Sequence, residues 1–175
     1  KDNIVSKSNQ SVWTEGAAIC MGNSQLVLSR TKILDNELIH PQSANGGGIL
    51  MAWIDNELVN EGEDNQLLVI NSVIAGNTVT PGDSWSSRGA GIMVGGGTAT
   101  IINSTIVDNE VAGTNPMGGG IYVGSVNSSG NSSKLNLFNS IIYGNTPINN
   151  QLYMDDFANV EHFVSYSLIQ GTDLD

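Results

Sequence analysis

Gly89-Ala90-Gly91-Ile92-Met93-Val94-Gly95-Gly96-Gly97-Thr98-Ala99-Thr100-Ile101-Ile102-Asn103-Ser104-Thr105-Ile106-Val107-Asp108-Asn109 is the stretch that decides the fold. It opens on a glycine phrase, Gly89-Ala90-Gly91-Ile92, and closes on a strand phrase ending in asparagine, Ser104 to Asn109. Between them Ala99-Thr100-Ile101 alternates with the period of two that puts every second side chain on one face of a strand.

Both phrases recur along the chain. The glycine phrase returns as Gly16-Ala17-Ala18-Ile19, Gly46-Gly47-Gly48-Ile49 and Gly118-Gly119-Gly120-Ile121. The strand phrase returns as Thr31-Lys32-Ile33-Leu34-Asp35-Asn36, Ser72-Val73-Ile74-Ala75-Gly76-Asn77 and Ser140-Ile141-Ile142-Tyr143-Gly144-Asn145, with a degenerate copy at Ser167-Leu168-Ile169-Gln170-Gly171-Thr172. The two alternate strictly, but their spacing varies: glycine phrases begin 30, 43 and 29 residues apart. A fixed pattern at variable spacing describes one coil per repeat, with loops of differing length at fixed corners. Aligned columns Leu26/Leu67/Ala99/Leu135, Leu28/Val69/Ile101/Leu137 and Ile33/Ile74/Ile106/Ile142 form the expected interior. The expectation is an all-β, right-handed parallel β-helix solenoid of about five coils, whose strands, too short to fold alone, are stabilised by stacking about 4.8 Å apart.

Composition agrees. Charged residues are 13% of the 175, well below the usual quarter, and Gly numbers 21. Such a chain suits many short strands and tight turns. The asparagine column predicts side-chain amides bonded to one another along the axis, with simple turn formation as the alternative. The glycines predict close backbone approach. A phosphate loop is excluded because no lysine or helix follows, and Gly95-Gly96-Gly97 lacks the spaced Asp of the calcium-binding nonapeptide.

The alternation of Gly118-Gly119-Gly120-Ile121 with Ile142-Tyr143-Gly144-Asn145 resembles the repeats of polymorphic outer-membrane proteins and, more broadly, the pectate-lyase-like right-handed β-helix superfamily. The likeness covers roughly residues 15–172. The chain departs from the outer-membrane repeats in carrying Ile33, Ile74, Ile106 and Ile142 where those have Phe. The superfamily holds polysaccharide lyases, glycoside hydrolases, tailspikes, adhesins and autotransporter passengers, so the resemblance implies a fold and leaves several functions open.

The formal net charge of -11 excludes nucleic acid as a partner, since phosphate contacts need clustered Lys and Arg. No run of eighteen apolar residues is present, and no transmembrane segment is expected. Cys20 is the sole cysteine, so no internal disulfide forms; it is expected to be a small buried side chain. No leader segment is visible, and the chain is read as a mature or excised piece of a secreted or cell-surface protein, bacterial in origin.

Function is expected on inserted loops. The acidic loop after Trp53 offers Asp55, Glu57, Glu61, Glu63 and Asp64 as a weak calcium site; the alternative is a solvated loop anchored by Trp53. No other cofactor is expected. Trp53, Asp83, Trp85 and Arg88 are candidates for sugar binding, with the indoles stacking on rings; Tyr122 and Tyr143 are set beside them but read as packing or coil-surface residues. For catalysis the weak candidates are Asp35 and Asp108, in one column two coils apart, with turn formation as the plainer role. His40 and His162 have no companion motif. Residues 1–14 form an N-terminal segment or partial coil, and 15–175 the repeat domain. Neither end shows a cap, so further coils or a partner chain are expected to cover the open edges. The first functional reading is a structural and binding module, adhesin-like, for a glycan or surface protein. The alternative is a fragment of a carbohydrate-active enzyme, a polysaccharide lyase or glycoside hydrolase.

Overall fold

Each coil is built from five short strands. The computed structural model describes residues 3–6, 14–41, 44–52, 65–82, 86–124, 132–156 and 159–171. Wall 1 collects β2 (Thr14–Glu15), β7 (Ala44–Asn45), β12 (Ser86–Arg88) and β17 (Asn115–Met117). Wall 2 collects β3 (Ile19–Met21), β8 (Ile49–Ala52), β13 (Ile92–Gly95), β18 (Ile121–Val123) and β21 (Leu152–Met154). Wall 3 holds the longest strands: β4 (Gln25–Ser29), β9 (Gln66–Ile70), β14 (Gly97–Ile102), β19 (Ser133–Phe138) and β22 (Val160–Ser165). Wall 4 collects β5 (Lys32–Leu34), β10 (Val73–Ala75), β15 (Thr105–Val107), β20 (Ile141–Tyr143) and β23 (Leu168–Ile169). Wall 5 collects β1 (Ile4–Ser6), β6 (Glu37–His40), β11 (Thr78–Pro81) and β16 (Glu110–Val111). Every pairing within the walls is parallel and joins one coil to the next, so the chain is a parallel β-helix solenoid.

The expected columns stack. Leu26, Leu67, Ala99 and Leu135 are register partners, as are Ile33, Ile74, Ile106, Ile142 and Ile169. Their sequence alternation turns every second residue of wall 3 inward, and the inward set of the middle coils is fully buried. The three segments that follow the first three asparagine phrases, Glu37–Asn45, Val79–Arg88 and Glu110–Met117, contain the strands of walls 5 and 1. Strands of two to four residues turn one or two side chains inward, such as Leu38, Val79 and Val111, so they leave too little alternation to read.

The interior is divided in two. Walls 2, 3 and 4 enclose the main apolar core, while Ala17, Leu38, Ala44, Val79, Ala90 and Val111 form a smaller one between walls 1 and 5. The partition is where the two sequence phrases meet. A Cβ on Gly91 would lie 3.1 Å from Asn109 Nδ2, and one on Gly120 2.9 Å from Asn145 Nδ2. The glycine at the third place of the phrase is therefore the residue that admits the asparagine of the same coil.

The asparagine column is a continuous amide ladder. Nδ2 of Asn36, Asn77 and Asn109 donates to Oδ1 of the next coil's asparagine at 2.7, 2.8 and 2.8 Å. Each accepting Oδ1 also takes the backbone N–H of the residue above it, at 3.2, 3.0 and 3.0 Å. The second Nδ2 proton reaches a wall 4 carbonyl of the preceding coil: Ile33 O from Asn77, Ile74 O from Asn109 and Ile106 O from Asn145. These amides are buried but fully satisfied, the condition under which polar groups stabilise an interior. Two members were not read in the sequence. Asn3 donates to Asn36 Oδ1 at 2.9 Å, and Gln151 Oε1 accepts from Asn145 Nδ2 at 2.8 Å, closing the ladder. Thr172 lies outside the described residues. The left-handed residue of the bend is the one before each asparagine: Asp35, Gly76, Asp108 and Gly144 have φ of 54, 65, 54 and 67°.

A second ladder runs parallel to it. Ser72, Ser104, Ser140 and Ser167 each donate Oγ–H to the carbonyl two residues back and accept the backbone N–H of the coil above. Ser104→Ala removes both bonds and leaves the N–H of Ser72 without its acceptor. The expected loss is about 2 kcal/mol, read as a lower urea midpoint at unchanged slope.

Candidate functional site

The outer face of walls 3 and 4 at the last two coils is the most chemically distinctive described surface. In β22 the interior positions alternate with outward ones, which places Phe163 outside beside Phe138, ring centroids 5.4 Å apart. Three residues on, Tyr166 takes the left-handed turn between walls 3 and 4 with φ of 52° and is 91% exposed. Wall 4 then presents Ile141 and Leu168, which are register partners, and Tyr143, which is 52% exposed. The same turn in earlier coils carries Asn71, Asn103 and Asn139, and Asn139 Nδ2 donates to Asn103 Oδ1 at 2.7 Å. On wall 3 Asn136 Nδ2 donates to Thr100 Oγ1 at 3.3 Å. Aromatic faces, apolar side chains and exposed amides thus share one surface whose described ion pair is Lys134–Glu161 at 2.9 Å.

Arg88 lies elsewhere, on the outside of wall 1. Its guanidinium carbon is 5.2 Å from the centroid of the Tyr122 ring, a cation–π contact. Tyr122 faces outward from wall 2, yet it is fully buried and packs with Leu50, Ala52 and Met93 in a small outer cluster. Tyr153 stacks on it at 5.6 Å, and the Tyr122 hydroxyl donates to Asp155 Oδ2 at 2.7 Å. Burial pushes the Tyr122 hydroxyl well above the usual tyrosine range; the bond to Asp155 and its charge add to this, and the Arg88 charge opposes it. Among the described residues, Arg88 Nε and the neighbouring Asn45 Oδ1 are buried with no hydrogen-bond partner.

Asp35 and Asp108 are both exposed at the turn from wall 4 to wall 5, one at the first coil and one at the third. A Cβ on Gly76 would strike Asp35 Oδ1, and one on Gly144 would come within 2.6 Å of Asp108 Oδ1. The Asp–Gly–Asp–Gly column therefore has a steric logic: each carboxylate overhangs the glycine of the next coil. The strand spacing keeps the two acids about 10 Å apart. Trp53, Asp55, Glu57, Glu61, Glu63, Asp64, Asp83 and Trp85 lie outside the described residues. Among the described residues no group of three or more His, Cys, Asp or Glu side chains could hold a metal ion, and no helix is long and apolar enough to cross a membrane.

One expectation changes. Cys20 is exposed, because Ile19 and Met21 turn inward from its three-residue strand and force the middle residue out. Of the two tyrosines read as packing or coil-surface residues, Tyr122 is the buried ring and Tyr143 the exposed one. Phe163 and Tyr166 were missed; the signal was an aromatic at the outward and turn positions of the degenerate fifth repeat. Comparison with protein-family models, with curated proteins and with solved structures returned no match.

Proposed function

We propose that the chain is an extracellular or cell-surface binding module, bacterial in origin and related to the pectate-lyase-like β-helix proteins, that takes a neutral glycan on walls 3 and 4. The observation that carries this reading is the exposure of Phe163, Tyr166 and Tyr143 beside the Asn103–Asn139 amides on a rigid, charge-poor wall. Aromatic faces cover the apolar faces of sugar rings, and side-chain amides bond their hydroxyls. The net charge of -11 favours an uncharged ligand over a polyanion. Ladder-bonded strands hold these groups in fixed positions, which lowers the entropic cost of binding.

Titration calorimetry with neutral oligosaccharides tests it. A Tyr143→Ala/Tyr166→Ala protein is expected to bind at least about tenfold more weakly, each lost stacking contact being worth about 1 kcal/mol. Its melting temperature should barely change, because both rings are exposed. Silence across neutral glycans, or unchanged affinity in the double variant, removes the reading.

A further inference from the structure

The outer faces of walls 1 and 2 meet in a crease. Gly46 and Gly89 make its corner, and a Cβ on either would come within 2.8 Å of the outward Leu50 or Met93 Cβ. Ala44 points into the small core, so Asn45 and its register partner Arg88 point out into the crease. Beside them on wall 2 stand Leu50, Met93 and Tyr122, all fully buried.

Two polar side chains of the crease are unsatisfied. Asn45 is 3% exposed, yet among the described residues its carboxamide makes no hydrogen bond. Arg88 is half-buried, with Nε buried, and among the described residues nothing accepts from its guanidinium. No described carboxylate pairs with it: the described ion pair is Lys134–Glu161, and Asp155 accepts from the Tyr122 hydroxyl. The guanidinium is therefore held against an aromatic face, at 5.2 Å, with its hydrogen-bonding edge unused. A buried N–H without an acceptor is costly, and here it lies in register with a buried amide that also lacks a partner. A water satisfies either group but leaves the cation uncompensated beside apolar side chains, where charge interactions are strongest.

We propose that this crease binds a monocarboxylate. Nε–H and one Nη–H of a guanidinium form a planar pair that matches the two oxygens of a carboxylate. The unbonded Asn45 carboxamide turns Nδ2 to one of the same oxygens. Tyr122 holds the guanidinium from behind, so little side-chain freedom is lost on binding. The half-exposed flank of Arg88 is the way in. A single cation in a chain of net charge -11 favours a monoanion over a dianion. The site lies apart from walls 3 and 4 and does not depend on the glycan reading.

Nitrogen-15 NMR of the whole chain, titrated with propionate, tests this. Arg30 and Arg88 are the only arginines, so Arg88→Lys assigns their Nε–H signals. Propionate is expected to shift the Arg88 signal saturably and to leave that of the exposed Arg30 in place. Propionamide, which lacks the charge, and inorganic phosphate, which lacks the planar oxygen pair, should each bind at least about tenfold more weakly. Arg88→Lys keeps the charge without the fork and should weaken propionate binding about tenfold, followed at the backbone signals of Gly89 and Tyr122. Asn45→Leu should weaken it at least about threefold with no loss of melting temperature, because the carboxamide it removes bonds nothing described. A purely structural Asn45 gives the opposite pattern, a lower melting temperature and unchanged binding, and that result overturns the proposal. So does an Arg88 signal that propionate does not move, an equal shift at both arginines, or phosphate binding as tight as propionate.

Discussion

Asn109→Ala is expected to lower the unfolding free energy by roughly 3–5 kcal/mol, since each buried group left unsatisfied costs about 1–3 kcal/mol. Asn109 sits in the middle of the ladder, with coils on both sides. Its Oδ1 holds the N–H and Nδ2 of Asn77 at 3.0 and 2.8 Å, and its Nδ2 serves Asn145 Oδ1 and Ile74 O. Truncation leaves the Asn77 N–H without its acceptor and takes one bond each from Asn77 Nδ2, Asn145 Oδ1 and Ile74 O where water has little access, the ladder amides from Asn36 to Gln151 being at most 1% exposed. Asn139→Ala is the control: the same residue type one coil on, in the exposed turn column, with a single side-chain bond to Asn103. Its cost should be about 1 kcal/mol, set by placing alanine in a left-handed turn. Urea titration of both variants checks the contrast, and equal losses would mean that burial of the ladder is not what gives it its weight.

Gly91→Ala is expected to cost about 3 kcal/mol, the upper range for overpacking. The added methyl meets Gly120 O of the next coil, Ile106 Cγ2 at 3.0 Å and Asn109 Nδ2 at 3.1 Å. Two of these are fixed by ladders and the third by the core, so no flexible group is available to move. Ala18 stands at the matching place in the first coil and already carries the methyl that Gly91 lacks. Ala18→Gly should therefore change stability little, about the 0.5–1 kcal/mol of the backbone effect alone. Thermal unfolding with a loss in Gly91→Ala no larger than in Ala18→Gly would show that the glycine phrase is not needed for close approach.

Walls 2, 3 and 4 were legible because their strands are long enough, or their inward residues regular enough, to repeat visibly. Leu26, Leu67, Ala99 and Leu135 fall in one column in the sequence and in the structure. Walls 1 and 5 were hidden because strands such as Glu110–Val111 offer a single inward side chain, which no periodicity can reveal. The ladder was legible through its asparagines, but Gln151 was not, since it reaches the axis from a different corner of the coil by virtue of one extra methylene. Surface function was the least readable part. Exposure of Tyr143 and burial of Tyr122 depend on whether the outside of a wall is flat or folded against its neighbour, as wall 2 is at Gly89 and Gly118, where a Cβ would strike the outward column. That curvature leaves no mark on local alternation.

The central claim is that matched positions of successive coils lie directly over one another. Disulfide trapping on the outside of wall 3 tests it most directly, in a Cys20→Ser background. Thr100 and Asn136 are register partners, and stacked parallel strands place their Cα atoms about 4.8 Å apart, within disulfide reach. Thr100→Cys/Asn136→Cys is predicted to oxidise to a single intramolecular bond, while Thr98→Cys/Phe138→Cys, displaced four residues along the strands, stays reduced. Linkage of the displaced pair, or a free thiol count of two in the matched pair after oxidation, would contradict the stacked register.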